Sequence, residues 1–155
     1  MPFTINEACT GCGACLKVCP AGAISGEKKK LHAIDAAACI ECGACGRTCP
    51  SVAVIDQYGK TAAMAKRSRW EKPEFKHEAC MSCTICIDAC PAHCLEMSEA
   101  KDSGNTHAYP YLKAEKACIG CGFCAAECPV DAIFMRTPAP REAKVSSDAV
   151  KEAAQ

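Results

Sequence analysis

The sequence predicts an α+β chain folded as two small tandem modules, and three observations carry that prediction. One twelve-residue cysteine pattern occurs four times. The first cysteines of successive copies lie 30, 41 and 38 residues apart, so the widest gap falls in the middle. That gap holds a cysteine-free stretch, residues 57–73, with five basic residues against one acidic residue.

Each copy reads C-x2-C-x2-C-x3-C-P. The copies are Cys9, Cys12, Cys15, Cys19 with Pro20; Cys39, Cys42, Cys45, Cys49 with Pro50; Cys80, Cys83, Cys86, Cys90 with Pro91; and Cys118, Cys121, Cys124, Cys128 with Pro129. They account for sixteen of the 17 cysteines. Three thiolates two residues apart on a tightly wound loop reach three corners of one iron-sulfur cubane, and the fourth cysteine faces elsewhere. Gly13, Gly43 and Gly122 follow the second cysteine in three copies, where a residue without Cβ lets the backbone turn closely. The proline is expected to end a short helical turn and begin an extended segment. Extended candidates are residues 3–5, 23–25, 31–34, 52–55, 74–77, 94–97, 109–113 and 132–135. Helix is expected only around each third and fourth cysteine, since nothing longer has helical periodicity.

Composition agrees with a fold organised by cysteine. The chain has 155 residues and only 5% aromatics, too few for a large hydrophobic core. The N-terminus has no basic segment followed by an apolar run, so a reducing, cytoplasmic compartment is expected and disulfides are not. No apolar stretch approaches the roughly 20 residues that span a bilayer, so membrane insertion is not expected. The formal net charge is zero with cysteines neutral. Four cubanes on thiolates would bring it to about −8, which excludes the standing basic surface of a nucleic-acid binder. Zinc fits poorly, because four-cysteine zinc sites use paired C-x2-4-C units and not a third cysteine at the same interval followed by C-P.

Those four cysteine runs, with their prolines, resemble the bacterial two-cluster ferredoxin family, here duplicated as a four-cluster polyferredoxin from Cys9 to Pro129. The resemblance implies tandem ferredoxin-like modules, each a duplicated β-α-β unit around two [4Fe-4S] clusters. In that family the fourth cysteine of one motif ligates the cluster of the other. It implies one cluster on Cys9, Cys12, Cys15 and Cys49, and its neighbour on Cys39, Cys42, Cys45 and Cys19. The second module would use Cys80, Cys83, Cys86 and Cys128 for one, and Cys118, Cys121, Cys124 and Cys90 for the other. Expected boundaries are module one at 1–56, a basic linker at 57–73, module two at 74–136 and a tail at 137–155. A rival pairing joins the first motif to the last, as in the iron-sulfur subunits of molybdenum oxidoreductases. Intact, closely spaced motifs favour sequential pairing.

Cys94 falls at the position of Ala23, Ala53 and Ala132 and is expected to be a buried structural thiol, not a ligand. Thr84 replaces the glycine of the other copies, and the cluster of that third motif is expected to differ in potential. His32, His77, His93 and His107 form no ligand or catalytic constellation and are expected at the surface. The basic linker has two readings, a docking strip for an acidic partner or a counter-charge to the chain's own clusters. Residues 98–107 read as a surface loop. Ser146 or Ser147 could cap a short helix in a tail otherwise expected to be disordered.

No nucleotide fingerprint or nucleophile elbow occurs, so no catalysis is expected of the chain itself. The expected role is an electron-transfer subunit of an oxidoreductase complex. It would relay electrons between a catalytic subunit and a flavoprotein, NAD or ferredoxin port. In size and motif number the chain resembles the small electron-transfer subunit of tungsten-containing aldehyde oxidoreductases of anaerobic metabolism. Similar subunits of benzoyl-CoA reductases and hydrogenases are alternatives. So is a freely diffusing polyferredoxin; a sensor would need an output module. Cysteine motifs near both ends of the wire also make head-to-tail self-association a possibility.

Overall fold

The computed structural model describes residues 2–99 and 107–138, leaving the tail helix and most of the expected loop at 98–107 outside the described residues. The N-terminal half runs β1 (Thr4–Ile5), α1 (Ala14–Val18), β2 (Ile24–Ser25), β3 (Ala33–Ile34), α2 (Ala44–Thr48) and β4 (Val54–Ile55). The C-terminal half repeats the order as β5 (Lys72–Phe75), α3 (Ile85–Asp88), β6 (Leu95–Met97), β7 (Pro110–Leu112), α4 (Phe123–Ala126) and β8 (Ile133–Arg136). Within each half the outer strands pair antiparallel, β1 with β4 and β5 with β8. The inner strands also pair antiparallel, β2 with β3 and β6 with β7. The first motif therefore packs with the second and the third with the fourth.

A backbone device repeated in every motif explains why the helices are only four or five residues long. Left-handed φ values occur two residues after the first cysteine, at Gly11, Glu41, Ser82 and Gly120. They recur directly after the second, at Gly13, Gly43, Thr84 and Gly122, where each starts a helix. A third set, Gly22, Val52, His93 and Asp131, lies three residues past the fourth cysteine. There the backbone N–H bonds back to that cysteine's carbonyl, at 3.4, 3.3, 3.1 and 3.3 Å. The proline thus occupies a β-turn, and the strand begins four residues after it, later than expected from sequence. Proline's fixed φ suits this turn position.

Cysteine supplies much of each interior. One core holds Phe3, Cys15, Ile24, Cys45, Cys49, Ala53 and Val54; the other holds Cys86, Cys90, Cys94, Leu95, Cys118, Cys124 and Ile133. A third, between the halves, is Val18, Ala44, Trp70 and Ile119.

Residues 57–73 are not a free tether. Thr61 bridges to Ile55, and the Ala62 N–H donates to the Val54 carbonyl at 2.8 Å, extending the first sheet. Trp70 is 2% exposed, and β5 starts at Lys72, two residues inside the span that reads as linker. The shift has a physical cause: Lys72 pairs with Arg136, and Pro73 with Met135, along β8.

Candidate metal centre

Three apolar cavities are each lined by four motif cysteines. Cys80, Cys83, Cys86 and Cys128 line one beside Phe75, Pro110 and Ile133. Cys90, Cys118, Cys121 and Cys124 line another beside Cys94, Leu95 and Met135. Cys19, Cys39, Cys42 and Cys45 line a third beside Phe3, Ile24 and Ile34. Of the remaining four, Cys15 and Cys49 are buried in one core with Cys9 packed against it, while Cys12 is exposed. The first motif's loop also meets the turn after Cys49 through Thr10 Oγ1 and Ser51 Oγ, 3.3 Å apart.

These sites fit a polynuclear core. The cysteines of each set line a shared space, which suits the core of an iron-sulfur cubane. Backbone N–H groups already point at sulfur: Gly11 to Cys9 at 3.4 Å, Ser82 to Cys80 at 3.5 Å, Ala53 to Cys49 at 3.4 Å and Ala132 to Cys128 at 3.3 Å. Such donors stabilise charge on a thiolate.

Without metal, six of the motif thiols are held in their protonated form by burial. Burial pushes Cys45 and Cys124 up to about 12 and raises Cys15, Cys42, Cys86 and Cys121 as well. Cys118 is the exception, lowered to about 6, first by a hydrogen bond from Cys94 and further by the Gly120 N–H, Lys72 and Arg47. Cys94 is raised in turn, principally by that same bond to Cys118 and by burial. Its Sγ also lies 3.4 Å from Cys90 Sγ. Cys94 is thus a retained S–H wedged against two thiols of one cavity, an intimacy that its alignment with three alanines does not reveal.

Arg47 ties the halves together. Its Nη1 donates to the Gly120 carbonyl at 2.9 Å; its Nη2 donates to Ile119 at 2.9 Å and to Cys42 at 3.0 Å. The guanidinium carbons of Arg47 and Arg67 lie over the Trp70 ring, 5.3 and 5.1 Å from its centre. Arg67 also donates to Lys116, and Lys72 Nζ to Glu115 and Cys118, all to carbonyls. Sequence offered no signal for Arg47, which sits unremarked inside the second motif. Nor did it for His32, which is 2% exposed and therefore not the surface residue expected. Its ring fills the space left by Gly26, where a Cβ would fall 2.5 Å from His32 Cδ2.

Two models of the 4Fe-4S dicluster domain match the chain, one over residues 8–55 and one over both 38–94 and 79–132. The chain belongs to the 4Fe-4S dicluster domain family. It is a ferredoxin-type iron-sulfur protein with an electron-transfer role. The match over 38–94 spans the second and third motifs, so any two successive motifs satisfy the family pattern; strand pairing says which pack together. No curated protein matches the chain as a relative. A solved structure similar to it is a chain of the formate dehydrogenase, heterodisulfide reductase and formylmethanofuran dehydrogenase complex from Methanospirillum hungatei. Identity is 24% and the TM-score 0.43, over 88% of this chain and 50% of that one, so this chain spans half its length. Among the described residues no helix is long and apolar enough to cross a membrane.

Proposed function

We propose that this chain is a non-catalytic electron-transfer subunit with four [4Fe-4S] sites, relaying electrons between a catalytic oxidoreductase subunit and a flavoprotein or ferredoxin. The ligand sets are crossed: Cys9, Cys12, Cys15, Cys49; Cys39, Cys42, Cys45, Cys19; Cys80, Cys83, Cys86, Cys128; and Cys118, Cys121, Cys124, Cys90. Cavities whose cysteines come from both motifs of a pair support this reading. Residues 1–56 and 72–136 form the two modules and 57–71 joins them, the second module starting with β5. A bound cluster takes up and releases one electron; the chain holds it, shields it and sets its potential.

The observation that carries the relay is the junction. Cys42 and Cys121 both pack against the Val18, Ala44, Trp70 and Ile119 core, near enough to one another for charge on Cys121 to raise the Cys42 thiol. The second and fourth motifs therefore face one another, and the sites follow the order first, second, fourth, third. Cys12 and Cys83, in the first and third motifs, are the exposed motif cysteines among the described residues and mark the two ends. A chain with an outlet at each end and a packed middle is suited to conduct between two partners.

The test is anaerobic affinity purification from the source, with iron, sulfide, tungsten and molybdenum analysis of what accompanies the chain. About sixteen irons per chain with a large tungsten or molybdenum partner is the expected result. The chain alone with its iron would instead make it a diffusing carrier, and zinc in place of iron would overturn the reading.

A further inference from the structure

The internal repeat provides a control for the environment of one site. Ile24 faces Ile34 across β2 and β3, and Leu95 faces Leu112 across β6 and β7. Each lies five residues past a fourth cysteine, so position 32 in the first half corresponds to position 110 in the second. Position 110 is Pro110, which lines the cavity of Cys80, Cys83, Cys86 and Cys128 and has no N–H to give. Position 32 is His32, whose Nδ1 lies 3.6 Å from Cys9 Sγ. Its Nε2 is buried without a hydrogen-bond partner. A buried imidazole with one orphaned nitrogen is destabilising unless the other makes a strong bond. Iron-bound Cys9 has no proton, so in that pair the ring is the donor. The N–H groups of Gly11 and Ala53, beside Cys9 and Cys49, have counterparts in Ser82 and Ala132, beside Cys80 and Cys128. Among these donors to sulfur His32 has no counterpart at the other end, where Thr84 in place of Gly13 is a second difference.

The geometry points to His32 as a positioning residue that donates Nδ1–H to the Cys9 sulfur and raises the reduction potential of the first site above that of the third. This rests on the reading that Cys9 holds a cluster. A hydrogen bond to ligand sulfur withdraws charge and favours the reduced, more negative state. Of the two end sites, the first then holds an electron in preference to the third.

Redox titration of the iron-loaded chain, followed by EPR, tests this in His32→Leu and His32→Gln. In His32→Leu one of the four potentials is expected to move negative while three stay; His32→Gln, which keeps an N–H donor, is expected to move less. A His32→Leu protein with about sixteen irons and four unmoved potentials would overturn the proposal and leave the iron-sulfur reading intact. Iron-free or zinc-loaded wild type would sink that reading itself. Wild-type protein carrying 15N only in histidine guards against variants that fail to fold. Pulsed EPR of its reduced form is expected to detect a histidine nitrogen, and its absence would also overturn the proposal.

Discussion

Val52 holds φ at 51° while 40% exposed, so a β-branched side chain occupies left-handed backbone at the surface and outside the cores. That conformation costs an L-residue roughly 1–2 kcal/mol. Glycine gives back about half of the gain through its freer unfolded state. Val52→Gly is therefore expected to stabilise the loaded protein by about 0.5–1 kcal/mol, read from denaturant unfolding under anaerobic conditions. Equal or lower stability would mean the turn is unstrained. Only six of the twelve repeated left-handed positions are glycine, which is why sequence exposed just one of the three sets. Cys94 carries a second residue-scale prediction. Cys94→Ala is expected to keep all four clusters, because the S–H only supports Cys118 and Cys90. Cys90→Ala is expected to lose one. Iron analysis of the two variants separates a supporting thiol from a ligand. Alignment of the repeats marked Cys94 as exceptional, but no linear pattern could pair His32 with Cys9, 23 residues away.

At the scale of elements, strands of two to four residues cannot stand alone, and the loops around the cysteines hold them in register. Extended segments were legible from apolar runs after each C-P. Their limits were not, since turn geometry and pairing partners set them: β5 starts at Lys72 because β8 offers Arg136 opposite. The segment at 57–73 has a basic composition that reads as linker, yet its burial depends on where Trp70 lands. Trp70→Ala empties the core between the halves and is expected to cost about 3–5 kcal/mol. Magnetic coupling between reduced clusters of the two halves should weaken with it, as seen by EPR. Undiminished coupling would place the contact between halves elsewhere.

Across the whole molecule, motif cysteines supply three of the seven buried residues in the core of one half and four of seven in that of the other, so metal and fold stand together. Removing iron by chelation is expected to abolish the native circular dichroism, as in other small metal-organised domains. Cluster assembly must displace protons from thiols such as Cys45 and Cys124, raised to about 12. Their neutral form predominates below that range, so iron uptake releases acid and is favoured as pH rises. Once the protons released by the incorporated sulfide are subtracted, a pH-stat during anaerobic reconstitution is expected to show further alkali consumed; none left over would mean the thiolates exist beforehand. The sequence by itself determined the cofactor class and the sixteen candidate ligands, because spacing along the chain decides which thiols a tight loop can present to one cubane. Only the tertiary structure decided which motifs lie together, that Arg47 and Trp70 join the halves, and that a histidine rather than a proline faces Cys9. Those features depend on contacts between residues far apart in the chain, set by strand register and by the packing of two cysteine-lined halves.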